Sequence, residues 1–592
     1  MAALLLGFVT DITAGNNTAV ATIAILLTSY VLLYRWQLVK ADPDEPPIIP
    51  SAVPFVGHLL GMALQGGRYV KNLGLRHPDK PIFTLPVPRS RMYVVTDPSL
   101  AAAVQRASKT LSFTPLVPDI TQRVLGLDGD TVAIVRQHID PEPGEARGFL
   151  ADIHDLVYSY FGPGEALSEL SLGAVRELAR EVEGYVGRLQ REKGGEETVD
   201  LLQWIRHFVA MATANLLYGE ENPLALHPEL ESAFWDFDHG LGSLLMGVFP
   251  SITAGKAYRG REALAAALEE YLLHNRHLPG DGRKGASLIV QKRVAIALQH
   301  GWTLRATARS ELSFLFAGIV NTATTTFWMV LYLFASASSG DTDNLLSTIR
   351  SELSSSLTFD TPTGTPTLSM DKLRTSSPAL QSLFRECLRQ NSDTYSTRLV
   401  KSATTLPGPA GPYHLAASSV VQISGGTMHA DPRIWGADVG AFKPSRFLPQ
   451  NQQQQPKMTT TTTTPNQERG PETGTGTGTR TSLTPHPASF RAFGGGKTHC
   501  PGRHFASTTI QAFVALLVTH FDITGQRHDN TGPQDDNNSG GGGRTRTRTR
   551  KIPVPEKEDG VLPVHVLEPK GEVRVTVRLR NRGGARGVAV VN

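Results

Sequence analysis

Cys500 lies in the run Phe493-Gly-Gly-Gly-Lys-Thr-His-Cys-Pro-Gly-Arg-His-Phe-Ala506 and is one of only two cysteines in the chain. Glycines have no Cβ and tolerate positive φ, so this loop can bring backbone close to something large and flat. Their N–H groups can point at the sulfur and favour a thiolate. Pro501-Gly502 interrupts the loop, and Arg-His-Phe-Ala opens a helix whose N-terminus also favours a negative sulfur. A thiolate in such a frame is suited to hold a metal, and thiolate is one of the few axial ligands that equip haem iron to cleave O–O bonds. A buried structural cysteine in a glycine-rich turn is the plainer alternative.

The other cysteine, Cys387, sits in Leu383-Phe-Arg-Glu-Cys-Leu-Arg-Gln390. Glu386 and Arg389 are i and i+3 on a helix and share one face. Downstream come His429-Ala-Asp-Pro432, Trp435-Gly436 and Phe442-Lys-Pro-Ser-Arg446-Phe447. A buried guanidinium at Arg446 would complete a network with Glu386 and Arg389 able to lock the chain around a cofactor. Taken alone, the Glu-x-x-Arg pair is an ordinary surface ion pair.

Thr303 to Ala335 is the longest helical candidate, about 50 Å at 1.5 Å per residue. Its centre, Ala317-Gly-Ile-Val-Asn-Thr-Ala-Thr-Thr-Thr326, is followed by Phe327-Trp328. Hydroxyl and amide groups inside a buried helix are costly unless they meet a ligand, water or other backbone. That cluster argues against a membrane span over Phe314 to Phe334.

Several elements must position these groups. The chain has 592 residues with 58 basic against 54 acidic, so no basic stripe marks a nucleic-acid binder. Two cysteines cannot build a disulfide framework, which fits a reducing compartment. Thr18 to Tyr34 is uncharged and mostly apolar, slightly short of the roughly 20 residues that span a bilayer. Arg35 and Lys40 follow it, placing the rest of the chain in the cytoplasm by the positive-inside rule. A signal peptide would carry its charges before the apolar run. Residues 1–40 are therefore expected to be a single-pass anchor, and the proline-rich 41–54 a stiff hinge. Ile82 to Thr96 alternates as a hairpin, and Gly260 to His277 is an amphipathic helix. Gln450 to Ser482 and Gly525 to Lys551 are low-complexity insertions with little to bury.

The order Glu-x-x-Arg, Phe-x-Pro-x-Arg-Phe, Phe-x-x-Gly-x-x-x-Cys-x-Gly resembles the cytochrome P-450 superfamily of haem-thiolate enzymes. Glu386 and Arg389, then Phe442, Pro444, Arg446 and Phe447, then Phe493, Gly496, Cys500 and Gly502 carry the likeness. It implies a mainly α haem domain with a small β region over 55–592, behind an N-terminal transmembrane helix. It also implies haem b with Cys500 as proximal ligand, and Phe493 packed beside the sulfur. Gly496 and Gly502 would allow close approach, while Arg398 would reach a propionate. Glu386, Arg389 and Arg446 would be structural.

Three positions depart from the family pattern. The long helix usually carries Ala/Gly-Gly-x-Asp/Glu-Thr, whose acid and alcohol relay protons. Here Val320 and Asn321 stand in those places, with Thr322 following. Valine carries no proton and an amide does not titrate. Two residues before the thiolate, where Arg or His is usual, stands Thr498. Asn321, the Phe327-Trp328 that follows, and the loop from Phe493-Gly-Gly-Gly through Cys500-Pro-Gly-Arg to Phe505-Ala506 are similar to the branch holding the sterol 7α/12α-hydroxylases and prostacyclin synthase.

Two reactions follow from the resemblance. One is a monooxygenase hydroxylating or epoxidising a lipophilic substrate (sterol, terpenoid or polyketide-type secondary metabolite) with O2 and electrons from an NADPH-cytochrome reductase. Water held at Asn321 and Thr322 would supply protons, and the setting would be a fungal endoplasmic reticulum membrane. The other is an isomerase or dehydratase acting on a peroxide without external electrons. A haem carrier is the non-enzymatic alternative, disfavoured by the membrane anchor.

Overall fold

The computed structural model describes residues 17–591 apart from 142–143, 192–194, 281, 339–344, 360–365, 449–484, 527–550, 563 and 581–588. The insertion at 450–482, and 527–550 of the second, lie outside the described residues.

Helices dominate. The ones that matter for the site are α1 (Asn17–Gln37), α2 (Gly57–Gln65), α3 (Phe149–Phe161), α4 (Glu165–Arg191), α5 (Leu201–Tyr218), α6 (Leu230–His239), α7 (Gly255–Leu273), α8 (Leu304–Ser338), α9 (Pro378–Asn391) and α10 (Arg503–His520). The amphipathic pattern at 260–277 belongs to α7, which begins five residues earlier and stops at Leu273.

Helix α8 runs through the middle of the largest core cluster. Phe327, Trp328, Met329, Val330 and Leu331 are fully buried. Thr303 caps it, its hydroxyl accepting from the Ala306 N–H at 3.1 Å. The apolar run at 314–334 is thus a core helix, packed against α5, α7 and α10.

The described residues hold four sheets, two of which bear on the site. The strands β1 (Ile82–Val87), β2 (Ser90–Val95), β3 (Leu111–Ser112), β5 (Tyr395–Val400) and β6 (Val420–Ser424) form one sheet in the order β1-β2-β6-β5-β3. The expected hairpin is β1–β2, antiparallel with Phe83 opposite Val94. A second sheet has β7 (Phe521–Gly525) and β4 (Glu196–Asp200) on either side of β8 (Arg574–Leu579).

The proline-rich 41–54 stretch is held along β1. Thr84 donates its N–H to Pro47 O at 2.8 Å and its hydroxyl to Pro46 O at 2.9 Å. Glu45, buried, pairs with Arg91 at 3.2 Å. Gln37 at the end of α1 donates to Ser51 O at 3.0 Å, so α1 leaves the body at a fixed attitude.

Candidate active site around Cys500

The cysteine loop closes on itself. Cys500 N–H donates to Phe493 O at 2.9 Å, and Arg503 Nη1 donates to Cys500 O at 3.1 Å. Helix α10 starts at Arg503, so the sulfur stands at a helix N-terminus, as the sequence suggested. Burial pushes the Cys500 thiol up, while the Gly502 N–H and the Arg503 guanidinium push it down. A metal at the sulfur would add a far larger pull toward the thiolate.

The two glycines act differently. Gly496 has φ +63°, and a Cβ there would press on the Gln105 side chain at 3.0 Å. Gly502 has an ordinary φ of −76°, and a Cβ there would sit 3.9 Å from the Cys500 sulfur. Its contribution is its N–H and its nearness. The Phe493 ring is half-buried and tilts against Phe384 with centroids 6.4 Å apart.

Arg398 is buried in the middle of its sheet, on β5 opposite Val421 of β6. It donates to Gly495 O at 3.3 Å and to the Thr498 hydroxyl. The threonine that replaces the usual basic residue is therefore held by the neighbouring arginine. Arg491, which the motif reading passed over, lies beside it. It is 2 % exposed, donates to Ser396 Oγ at 3.0 Å, and leaves its Nε without a partner among the described residues. With its amide oxygen turned inward, Gln105 accepts from Arg491 Nη2 at 3.2 Å. Burial and the like charge of Arg398 bring the Arg491 guanidinium down to about 10, still protonated at neutral pH. Among the described residues no carboxylate pairs with either arginine. Two buried, uncompensated cations, Arg491 nine residues before the cysteine and Arg398 bonded to Thr498 of its loop, fit a dianionic group such as paired haem propionates. The signal for Arg491 was its place two residues before Phe493.

The expected network forms. Glu386, fully buried, accepts from Arg389 Nε and Nη2, both at 2.8 Å, and lies 3.3 Å from Arg446 Nε. The Lys443 N–H adds a bond at 3.0 Å, and Asp438 takes Arg446 Nη1 at 3.1 Å. Cys387 is 1 % exposed and its thiol is pushed well up by burial, which leaves it a packing residue.

His429 joins the network to the cysteine loop. It accepts from the Arg491 N–H at Nε2 (2.8 Å), its Nδ1–H donates to Ser392 O (2.8 Å), and its carbonyl takes Arg389 Nη1 (2.8 Å). Burial lowers its pKa to about 4 from 6.5. The unfolded chain therefore takes up this proton first. Stability is full above about pH 6.5, falls as pH drops, and levels off below about 4, a loss of roughly 3 kcal/mol. Thermal melts across this range should show the slope, and His429→Gln, which cannot titrate, should flatten it.

On α8 the side chains divide. Ala317 and Asn321, one turn apart, are exposed while Ile319, Val320 and Ala323 are fully buried. Asn321 thus faces the open side with Ala317, and Thr322, 5 % exposed, stands next to it. Asn321 Oδ1 accepts from the Val566 N–H at 3.0 Å. Thr326 returns its hydroxyl to Thr322 O at 2.8 Å, and the buried Thr324 hydroxyl has no partner among the described residues.

The family model for cytochrome P450 matches residues 174–550. The chain belongs to the cytochrome P450 family. A fungal cytochrome P450 monooxygenase, nodJ of Hypoxylon pulicicidum, is 29% identical over 85% of this chain and 88% of its own length. A cytochrome P450 monooxygenase of Gibberella zeae is 25% identical over 81% and 82%. The cholesterol 7-alpha-monooxygenase of Cricetulus griseus is 25% identical over 47% of this chain and 50% of its own length, which agrees with the branch suggested by Asn321. Among solved structures, retinoic acid-bound cyanobacterial CYP120A1 superposes with a TM-score of 0.60 at 18% identity, covering 90% of this chain and 99% of that one. The protein is a P450 monooxygenase, an oxidoreductase whose cofactor is a cysteine-ligated haem iron.

Proposed function

We propose that this P450 is a membrane-anchored enzyme in which Cys500 ligates the haem iron and a lipophilic substrate is hydroxylated or epoxidised. The carrying observation is the loop that places Cys500 at a helix N-terminus beside two buried, acid-free arginines. Haem b with a thiolate ligand would supply cleavage of the O–O bond. Arg398 and Arg491 would hold the propionates, Gly496 and Gly502 would admit the ring and the iron-bound sulfur, and Phe493 would flank the loop. Asn321 and Thr322 would hold the water that serves where the family's acid is missing. On this reading Arg491→Ala weakens haem retention roughly ten- to a hundredfold, the worth of a charge-assisted bond, measured by haem transfer to an apo-globin scavenger.

Membrane attachment is supported by two apolar surfaces. On α1, Ile25, Leu26, Leu32 and Trp36 are each about two-thirds exposed. Around 246–252, Met246, Val248, Phe249 and Ile252 are also exposed, and Leu60 and Leu64 of α2 repeat the pattern. Val561 and Leu562 join these two patches, since Val561 O accepts from Gly67 N–H and Leu562 packs by Gly242. With Arg35 and Lys40 after α1, residues 1–40 would anchor the chain in the endoplasmic reticulum with 55–592 as the cytoplasmic haem domain.

An NADPH-cytochrome reductase would deliver electrons on the face behind Cys500. A cleft of about 670 Å³ lies there, lined by Phe493, Arg374, Arg385, Arg503 and His504. The 450–482 insertion is low in complexity and carries none of the motif residues, so deleting it should leave haem incorporation intact, read as haem per polypeptide.

Sterols, terpenoids and polyketide-type secondary metabolites suit a membrane-fed pocket. The reading is tested by titrating the purified haem protein with such compounds, following the Soret shift, and measuring turnover with and without reductase and NADPH. Turnover of a binding compound only with both supports it. Isomerisation of a hydroperoxide with no NADPH, and no reaction with it, would replace it by the peroxide-rearranging alternative.

A further inference from the structure

Asn321 is not free to turn. The Val566 N–H can only donate, so the amide oxygen must face it and the NH2 group must point away, toward the open side shared with Ala317. Val566 belongs to a short segment, 565–568, that is held on four sides. Leu567 O accepts from Trp328 Nε1 of α8 at 2.7 Å, and Leu567 N–H donates to Asn391 O of α9 at 2.8 Å. His565 Nε2 lies 3.2 Å from Asp238 of α6. Glu568 binds Arg206 of α5 and sits 3.2 Å from His239 Nε2.

The last two contacts form a partly buried ionic cluster. Asp238 is 2 % exposed and Arg206 is 1 % exposed, stacked 4.1 Å over the Trp235 ring. Asp238, His239 and Glu568 bring three ligand atoms within 4.8 Å. A metal is not needed there, because the Arg206 guanidinium already contacts Glu568 and lies 3.2 Å from His239 Nε2. Such a cluster is costly to desolvate, and its best-attested use is to fix a register. The register it fixes here is that of Val566 against α8.

We propose that segment 565–568 is a strap that aims the Asn321 amide N–H into the open side of α8, where the haem and its ligand would be held, and that Asp238 and Glu568 are the positioning residues that hold it. Resting on the function proposed above, this would make Asn321 a hydrogen-bond donor where the family has an alcohol, without losing a proton. Asp238 and Glu568 act on the reaction only through Asn321.

The C–O stretch of the ferrous–carbon monoxide complex reads a donor at that position without substrate or turnover. Asn321→Ala should raise the frequency, because the donor is gone. Asp238→Asn and Glu568→Gln should raise or broaden it, with the Soret band of the thiolate complex unchanged. In the Asn321→Ala background the same two substitutions should do nothing further, a non-additivity that mere loss of stability would not produce. Should Asp238→Asn fail to load haem, Glu568→Gln and His565→Asn carry the test. An unmoved stretch in Asn321→Ala, or equal shifts with and without Asn321, overturns the strap. Absence of the thiolate Soret band from the wild type would instead overturn the haem-thiolate reading beneath it.

Discussion

Cys500→Ser is expected to abolish the ferrous–carbon monoxide Soret band at about 450 nm, the signature of thiolate ligation, and with it all oxygenation. Serine keeps the loop's size and the N–H bond to Phe493 O. What it removes is the sulfur, and an alkoxide is not formed in its place near neutral pH. Cys387→Ala is the control. That thiol is buried in α9 with its pKa pushed well up by burial, so its loss should leave the band in place at a modest cost in stability. A band that survives Cys500→Ser and disappears with Cys387→Ala would reverse the assignment.

Glu386→Gln should prevent accumulation of holoprotein altogether. Glu386 is fully buried and takes charge from Arg389 and Arg446 together with the Lys443 N–H. Removing its charge leaves Arg389, itself 2 % exposed, without a counter-ion in the core. Breaking a buried pair in this way costs about 3–5 kcal/mol, a large part of the roughly 5–15 kcal/mol that holds a domain folded. Because His429 links Arg389 to Arg491, the damage reaches the cysteine loop. Haem content and the melting midpoint of the soluble fraction check this. A Glu386→Gln protein with full haem and an unchanged midpoint would show that the network is dispensable.

What could be read beforehand was local. The cysteine loop is eight residues with its glycines, and Glu386 and Arg389 are one turn apart on a helix. The β1–β2 hairpin and α8 declare themselves by period and length. Arg446 could be joined to Glu386 only because the resemblance supplied the order of motifs. The missing pieces are all long-range. Gln105 meets Arg491 from a helix at the other end of the chain, and Asn321 meets Val566 across 245 residues. Arg206 meets Glu568 across 362. No periodicity encodes such partners, since topology sets them. The sequence could therefore show that Val320 and Asn321 lack the usual acid, but not that a strap from near the C-terminus holds the amide in its place.

The proposed function requires that a haem held by Cys500 insert oxygen from O2 into a lipophilic substrate. The most direct measurement supplies isotopically labelled dioxygen to the reconstituted system of protein, reductase and NADPH, with a compound that shifts the Soret band, and weighs the product. One labelled oxygen atom in the product, dependent on NADPH and absent with Cys500→Ser, is the predicted result. A product without label, formed equally well without NADPH from a peroxide substrate, would contradict it.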